Sequence, residues 1–177
     1  LRVALVGRPN VGKSSLLNRL SRRERAIVAD LPGTTRDLLE SEIVLEGVPI
    51  TLIDTAGIRS TNDDLEKLGI DRSFLALGGA DVAVLIFDLT AGWTNEDKAV
   101  LEKVPNDVPK LLLGNKVDIH RGLPKNLSKE EIEGVFAVER ISALTGEGEK
   151  QMIAELMRIC GASEANRIVS GLNERQT

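Results

Sequence analysis

The stretch GRPNVGKS at residues 7–14, set between a short apolar run and a helical pattern, constrains the fold of this 177-residue chain more than any other feature. Arg2 to Val6 reads as a buried strand, and Lys13 to Arg23 carries leucines at 16, 17 and 20, which is helical spacing. Strand, glycine loop, helix is a βα unit. In that setting a glycine, four residues and then G-K-S has a physical meaning, because backbone N–H groups at a helix N-terminus converge on an anion. Groups around Gly12 and Lys13 are expected to cradle phosphates, Lys13 to neutralise β- and γ-oxygens, and Ser14 to ligate Mg²⁺. Asn10, Val11, Gly12, Lys13, Ser14 and Ser15 are thus the candidate phosphate-side residues. A chance glycine turn is the competing reading, and the flanking strand and helix argue against it.

The rest of the chain continues the alternation. Glu42 to Leu45 and Val48 to Asp54 flank Glu46-Gly47, and Ile50 and Leu52 alternate with Thr51 and Ile53, which predicts an antiparallel hairpin. Val82 to Phe87 and Lys110 to Leu113 are continuous aliphatic runs of the buried parallel type, separated by a helical segment from about Thr94 to Lys103. Ser128 with Glu131 has the capping-box pattern, Val135 to Ile141 makes a last strand, and a helix from about Gly148 to Cys160 closes the order. This order predicts a three-layer α/β fold. Its sheet is doubly wound, six-stranded and mostly parallel with one antiparallel edge strand, and ligands are expected at the carboxyl ends of the strands. The length suits one domain, residues 1–161, followed by a polar tail, 162–177.

Composition excludes several functions. Lysine plus arginine total 23 and aspartate plus glutamate 27, a net charge of -4, which argues against a basic nucleic-acid or membrane-surface module. Three Phe, one Trp and no Tyr provide no platform for stacking single-stranded bases, so the domain itself is not expected to grip nucleic acid. Cys160 is the only cysteine, so no internal disulfide forms, and it reads as a small apolar residue in a reducing compartment. Apolar runs fall far short of the ~20 residues of a membrane span, and a cytoplasmic domain is expected. The chain opens on Leu1 inside a strand pattern, as a piece of a longer protein would.

Two further motifs concern the metal and the base. Asp54 ends the third strand, where its carboxylate would hold Mg²⁺ through water, with the Gly57 N–H in reach of a γ-phosphate. NKVD at 115–118 chooses guanine: a carboxylate accepts from both its ring N–H and its exocyclic amine, a donor pair adenine lacks, so Asp118 is the selector. Asn115 would tie loops together, and Lys116 would lay its stem over the base. Ser142, Ala143 and Leu144, at the mouth of the last strand, would close over the guanine carbonyl with a backbone N–H.

These motifs in this order resemble the Ras-like translation-factor superfamily of GTPases, a P-loop fold, across nearly all of the chain. GTTRD at 33–37 narrows the resemblance, with Thr35 matching the switch threonine that completes Mg²⁺ coordination when GTP is bound. GRPNVGKSSLLNRL, AIVADLPGTTRD and DTAGIRSTNDDLEKLGIDRS at 54–73 are similar to the GTPase domain of the MnmE (TrmE) family of tRNA-modification GTPases, from residue 1 to about 160. The resemblance implies hydrolysis of GTP to GDP and phosphate by a domain that interrupts a helical domain. It also implies that the full protein modifies the wobble uridine of certain tRNAs together with a flavin-dependent partner, MnmG (GidA). In a eukaryotic source the home would be a plastid or mitochondrion. The family's folate-binding domain and terminal cysteine motif are absent here, so Cys160 is not to be mistaken for the latter.

Ile58 sits where many such enzymes keep a glutamine that orients the attacking water, and isoleucine cannot hold a water. Neutralisation of charge by a cation is one substitute. Asn10 offers an amide oxygen suited to K⁺, and a loop-stabilising hydrogen bond is its alternative reading. The resemblance implies that Asn10, with carbonyls of Ala29, Leu31 and Thr34, binds K⁺, although Pro32 departs from the alanine expected there. It implies that Glu66 acts on the attacking water through a bridging water, and that two such domains dimerise face to face around their nucleotides. Lys13, Thr35, Arg36, Gly57 and Glu66 form the catalytic set, Arg36 as a group that orders the switch loop without moving a proton. Arg19, Arg22, Arg23 and Arg25 read as cations suited to a helix end, His120 as solvated, and Trp93 as a packing residue. Two rivals stand beside this reading: a GTPase unit of a ribosome-assembly protein of the Der (EngA) type, and a GTP-binding module with negligible turnover.

Overall fold

The computed structural model describes residues 1–8, 10–23, 39–54, 79–130, 134–159 and 161. Strand β1 (Arg2–Val6) runs through the glycine loop into helix α1 (Lys13–Arg23). Strands β2 (Leu39–Leu45) and β3 (Val48–Asp54) follow, then β4 (Val82–Asp88), α2 (Asn95–Lys103), β5 (Lys110–Asn115) and β6 (Ala137–Arg140). A last helix, α3, covers 149–159. The strands form one six-stranded sheet in the order β2-β3-β1-β4-β5-β6. Only the β2–β3 pair is antiparallel among the described pairs, as the alternation predicted.

Local chemistry explains these elements. Glu46 and Gly47 have φ of 51° and 77°, and a two-residue turn with both central residues in the left-handed region matches the twist of the strands it joins. β2 begins at Leu39, earlier than the apolar alternation suggests, because main-chain pairing to β3 continues to Leu39 opposite Asp54 through polar positions. β6 is shorter than expected. Phe136 and Ile141, one on each side of it, still donate backbone N–H groups to Lys110 and Gly114 of β5 at 2.8 and 2.7 Å. Thr94 is the N-cap of α2 and not its first turn: its hydroxyl accepts from the Asp97 N–H, while the Asp97 carboxylate accepts from the Thr94 N–H, a complete capping box. The box read at Ser128 and Glu131 extends beyond the described residues, as do Cys160 and the 162–177 tail.

Two cores sandwich the sheet. On one face Val3, Leu5, Val84, Ile86 and Leu111 meet Leu16 and Leu20 of α1 and Met152, Ile153 and Leu156 of α3. On the other, Ala4, Leu85, Phe87 and Leu112 pack with Trp93, Val104 and Val108. Central strands covered on both sides must be apolar throughout, which is why β4 is buried along its whole length. Trp93 stands edge-on to Phe87 with ring centroids 5.3 Å apart, the packing role expected of it. Because β1, β4 and β5 run parallel, their carboxyl ends deliver the glycine loop, Asp88 and the 115–118 segment to one edge of the sheet.

Candidate nucleotide-binding site

The glycine loop rises from β1 and is held from beneath. Val11 is buried and Asn10 is exposed, with φ of 67°. Gly12 has φ of 98°, and a Cβ there would overlap the Asn115 amide nitrogen, so glycine is required twice over. The first α1 bond runs from the Leu16 N–H to the Gly12 carbonyl at 3.0 Å. The N–H groups of Ser14 and Ser15, both exposed residues, precede that bond at the positive end of the helix. Lys13 is buried at the same place.

Asn115 joins the two halves of the site. Its Nδ2 donates to the Val11 carbonyl at 2.8 Å, and its Oδ1 accepts from the Ala143 N–H at 2.9 Å, both in buried surroundings. One side chain at the end of β5 thus ties the phosphate-side loop to the 142–144 loop. Ser142 donates its N–H to the Glu147 carbonyl at 2.9 Å and accepts from the Thr145 N–H with its hydroxyl at 3.0 Å. Since the Ser142 and Ala143 N–H groups are committed inside the protein, Leu144, 82% exposed, is the member of the trio whose N–H has no such bond among the described residues.

The 115–118 segment, expected to select guanine, is equally constrained. Lys116 has φ of 73°, and its carbonyl accepts from the N–H groups of Ile119 and His120, each at 3.0 Å. This tight turn displays Asp118 and His120 to solvent. The Lys116 ammonium lies 2.7 Å from Asp88 Oδ2, while Thr90 donates both its N–H and its hydroxyl to Asp88 Oδ1 at 2.8 and 2.6 Å. Burial opposes ionisation of Asp88, but these donors outweigh it and hold the carboxyl below its ordinary range.

Several contacts had no signal in the sequence. Arg8 Nε meets Asp97 Oδ1 at 3.0 Å, and Arg19 Nε of α1 meets Glu149 Oε2 at 3.2 Å at the start of α3. Arg19, 35% exposed, thus links α1 to the start of α3. Behind the base-side loops lies a polar cleft of about 470 Å³, lined by Val117, Arg121, Glu139, Arg140, Glu147 and Gln151. In it Arg121 pairs with Glu147 at 3.0 Å, and burial, reinforced by Glu155 and opposed by Arg140, pushes the Glu139 carboxyl up. Ala29, Leu31, Thr34, Thr35, Arg36, Gly57, Ile58 and Glu66, with the side chain of Asp54, lie outside the described residues. The register places the Asp54 backbone opposite Leu5, beside the strand that feeds the glycine loop.

Comparison with known proteins agrees with this geometry. The family model described as "50S ribosome-binding GTPase" matches residues 2–116. The tRNA modification GTPase MnmE of Prochlorococcus marinus (strain MIT 9303) is 64% identical over 176 residues, covering 99% of this chain and 38% of that protein. MnmE of Synechococcus sp. (strain WH7803) is 59% identical over 176 residues, with coverage of 99% and 37%. The chain thus spans well under half the length of these relatives. Among solved structures, Aquifex aeolicus Era bound to GDP·AlF4⁻ superposes with a TM-score of 0.68 at 28% identity, covering 89% of this chain and 56% of that one. The G domain of the T. maritima iron transporter FeoB gives 0.65 at 27%, with coverage of 90% and 98%. A Ras-like sheet, a glycine loop opening α1 and a guanine-type NKVD turn on the same edge complete the case: the chain belongs to this GTPase family and is a GTP hydrolase domain homologous to the GTPase domain of MnmE.

Proposed function

We propose that residues 1–161 form one domain that binds GTP across the Asn115 bridge and hydrolyses it with Mg²⁺ and K⁺. The single observation that supports this reading is the bridge itself, which joins the Val11 carbonyl to the Ala143 N–H and so ties the glycine loop to the 142–144 loop. The Ser14 and Ser15 N–H groups and Lys13 receive the phosphates, and Asp118 selects guanine. Lys116 packs along the base with its ammonium anchored on Asp88. Leu144 offers the uncommitted N–H of its loop to the guanine carbonyl.

Ser14, Thr35 and Asp54 would hold Mg²⁺. Their all-oxygen donors suit a hard cation, which supplies charge neutralisation at the β- and γ-phosphates. Asn10, with carbonyls of Ala29, Leu31 and Thr34, would hold K⁺; its exposed position in the glycine loop, with φ of 67°, is compatible with that role. Gly57 donates to the γ-phosphate, Arg36 orders the switch loop, and Glu66 acts on the attacking water through a second water, which removes the need for a polar side chain at Ile58.

The full-length protein would be cytoplasmic and would modify wobble uridine in tRNA with MnmG, using GTP-dependent pairing of two such domains as its switch. This domain would not itself grip the tRNA. Among the described residues no helix is long and apolar enough to cross a membrane. The test is GTP hydrolysis with Mg²⁺ in KCl against NaCl at equal ionic strength, repeated with Asn10→Ala. Stimulation by KCl that Asn10→Ala abolishes is the expected result; equal rates in both salts would remove K⁺ and Asn10 from the mechanism.

A further inference from the structure

We propose that Arg8 is a positioning residue for the phosphate loop, clamped on Asp97 of α2 so that the loop keeps the shape in which it receives a β-phosphate. The inference rests on the phosphate-loop reading above. Arg8 is the second residue of GRPNVGKS, and its guanidinium Nε lies 3.0 Å from Asp97 Oδ1. Most ion pairs at a protein surface hold nothing in place, since both side chains are mobile and screened. This one differs on the acid's side. The Asp97 side chain is 0% exposed, and its other oxygen accepts from both the N–H and the hydroxyl of Thr94 at 2.9 Å. Its own N–H donates back to the Thr94 hydroxyl at 3.2 Å. The carboxylate is locked by the capping box of α2, so it is an anchor with fixed coordinates, and the planar guanidinium bound to it acts as a strut.

The strut acts two residues before a left-handed position of the loop. Asn10 has φ of 67°, a left-handed conformation that asparagine adopts more readily than other non-glycine residues, so the loop's shape here depends on what holds its two ends. On its carboxyl side the loop is pinned by the Val11 carbonyl on Asn115 Nδ2. On its amino side the pin is Arg8 on Asp97. Releasing the second pin lets the arch relax and spreads the N–H groups that must converge on the phosphate next to the α-phosphate.

The experiment measures GDP and GMP binding to the full chain by calorimetry for wild type, Arg8→Gln and Arg8→Lys, with a thermal melt of each. GMP lacks the β-phosphate, so a loop-positioning loss appears in GDP affinity alone. Arg8→Gln, which keeps an N–H donor but no charge, is expected to weaken GDP about 10- to 100-fold with GMP unchanged. Arg8→Lys, which keeps the charge without the planar guanidinium and its Nε donor, should fall between. Should Arg8→Gln fail to fold, Arg8→Lys decides by the same ratio. A wild-type preference for GDP retained in both variants, or an equal loss for GDP and GMP, overturns this inference alone. A wild type that binds GDP no more tightly than GMP overturns the phosphate-loop reading, and this inference falls with it.

Discussion

Replacing Asn115 by alanine strips the site of the side chain that serves both of its halves, and the cost follows from the atoms left behind. Two buried backbone groups lose their partners: the Val11 carbonyl, bonded at 2.8 Å, and the Ala143 N–H, bonded at 2.9 Å. An orphaned buried polar group costs about 1–3 kcal/mol, so the pair gives roughly 2–6 kcal/mol, and water entering the vacated space brings the expectation toward about 3 kcal/mol. That is a large fraction of the ~5–15 kcal/mol that stabilises a typical domain. Urea denaturation of the nucleotide-free protein measures it. Asn115→Asp sharpens the test, since it keeps an acceptor for the Ala143 N–H but sets a charged oxygen against the Val11 carbonyl in a buried place. The aspartate variant should be at least as unstable as the alanine variant. A loss below about 1 kcal/mol for Asn115→Ala, or an aspartate variant more stable than it, would refute the reasoning.

Asp118→Asn should exchange base preference, because xanthine presents a carbonyl where guanine has its amine, and an asparagine amide donates there while still accepting from the ring N–H. GTP turnover should fall ~100-fold and XTP turnover rise, and a variant that still prefers GTP would contradict the role of Asp118. Asp88 makes stability pH-dependent in a defined direction. Its folded value is lowered, so its contribution is complete above the ordinary aspartate range and is lost as pH falls through the folded value. Lys116→Met should therefore cost about 1 kcal/mol near neutrality, discounted because the lysine is 36% exposed, and nothing once Asp88 is protonated in both proteins. Denaturation curves that differ equally at all pH values would show that the pair does not titrate this way.

The sequence carried the fold because its rules are local. Period-two and continuous apolar runs named the strands, leucines at helical spacing named α1, and Glu46-Gly47 named the hairpin, each signal spanning a few residues. Boundaries slipped at Leu39, where main-chain pairing outran the apolar pattern, and at β6, whose regular strand is confined to Ala137–Arg140 although single backbone bonds to β5 continue at Phe136 and Ile141. The candidate site was legible at the same range: G-x-x-x-x-G-K-S and N-K-V-D are contiguous strings, so the tasks expected of their glycine, amide and carboxylate are read without the fold. Arg19 shows the limit, for its helical position suggested a solvated cation, while α3, folded back from 130 residues away, supplies Glu149.

What sequence alone determined is the alternation of elements and the chemistry of each loop, since both depend on neighbours along the chain. What only tertiary structure decided is which loop touches which: Asn115 on Val11 and Ala143, Arg8 on Asp97, and the commitment of the Ala143 N–H to Asn115. The parallel stacking of β1, β4 and β5 brings together residues about a hundred positions apart. No periodicity in the chain records that meeting, because the sheet order, set by burial of the whole core, is what closes those distances.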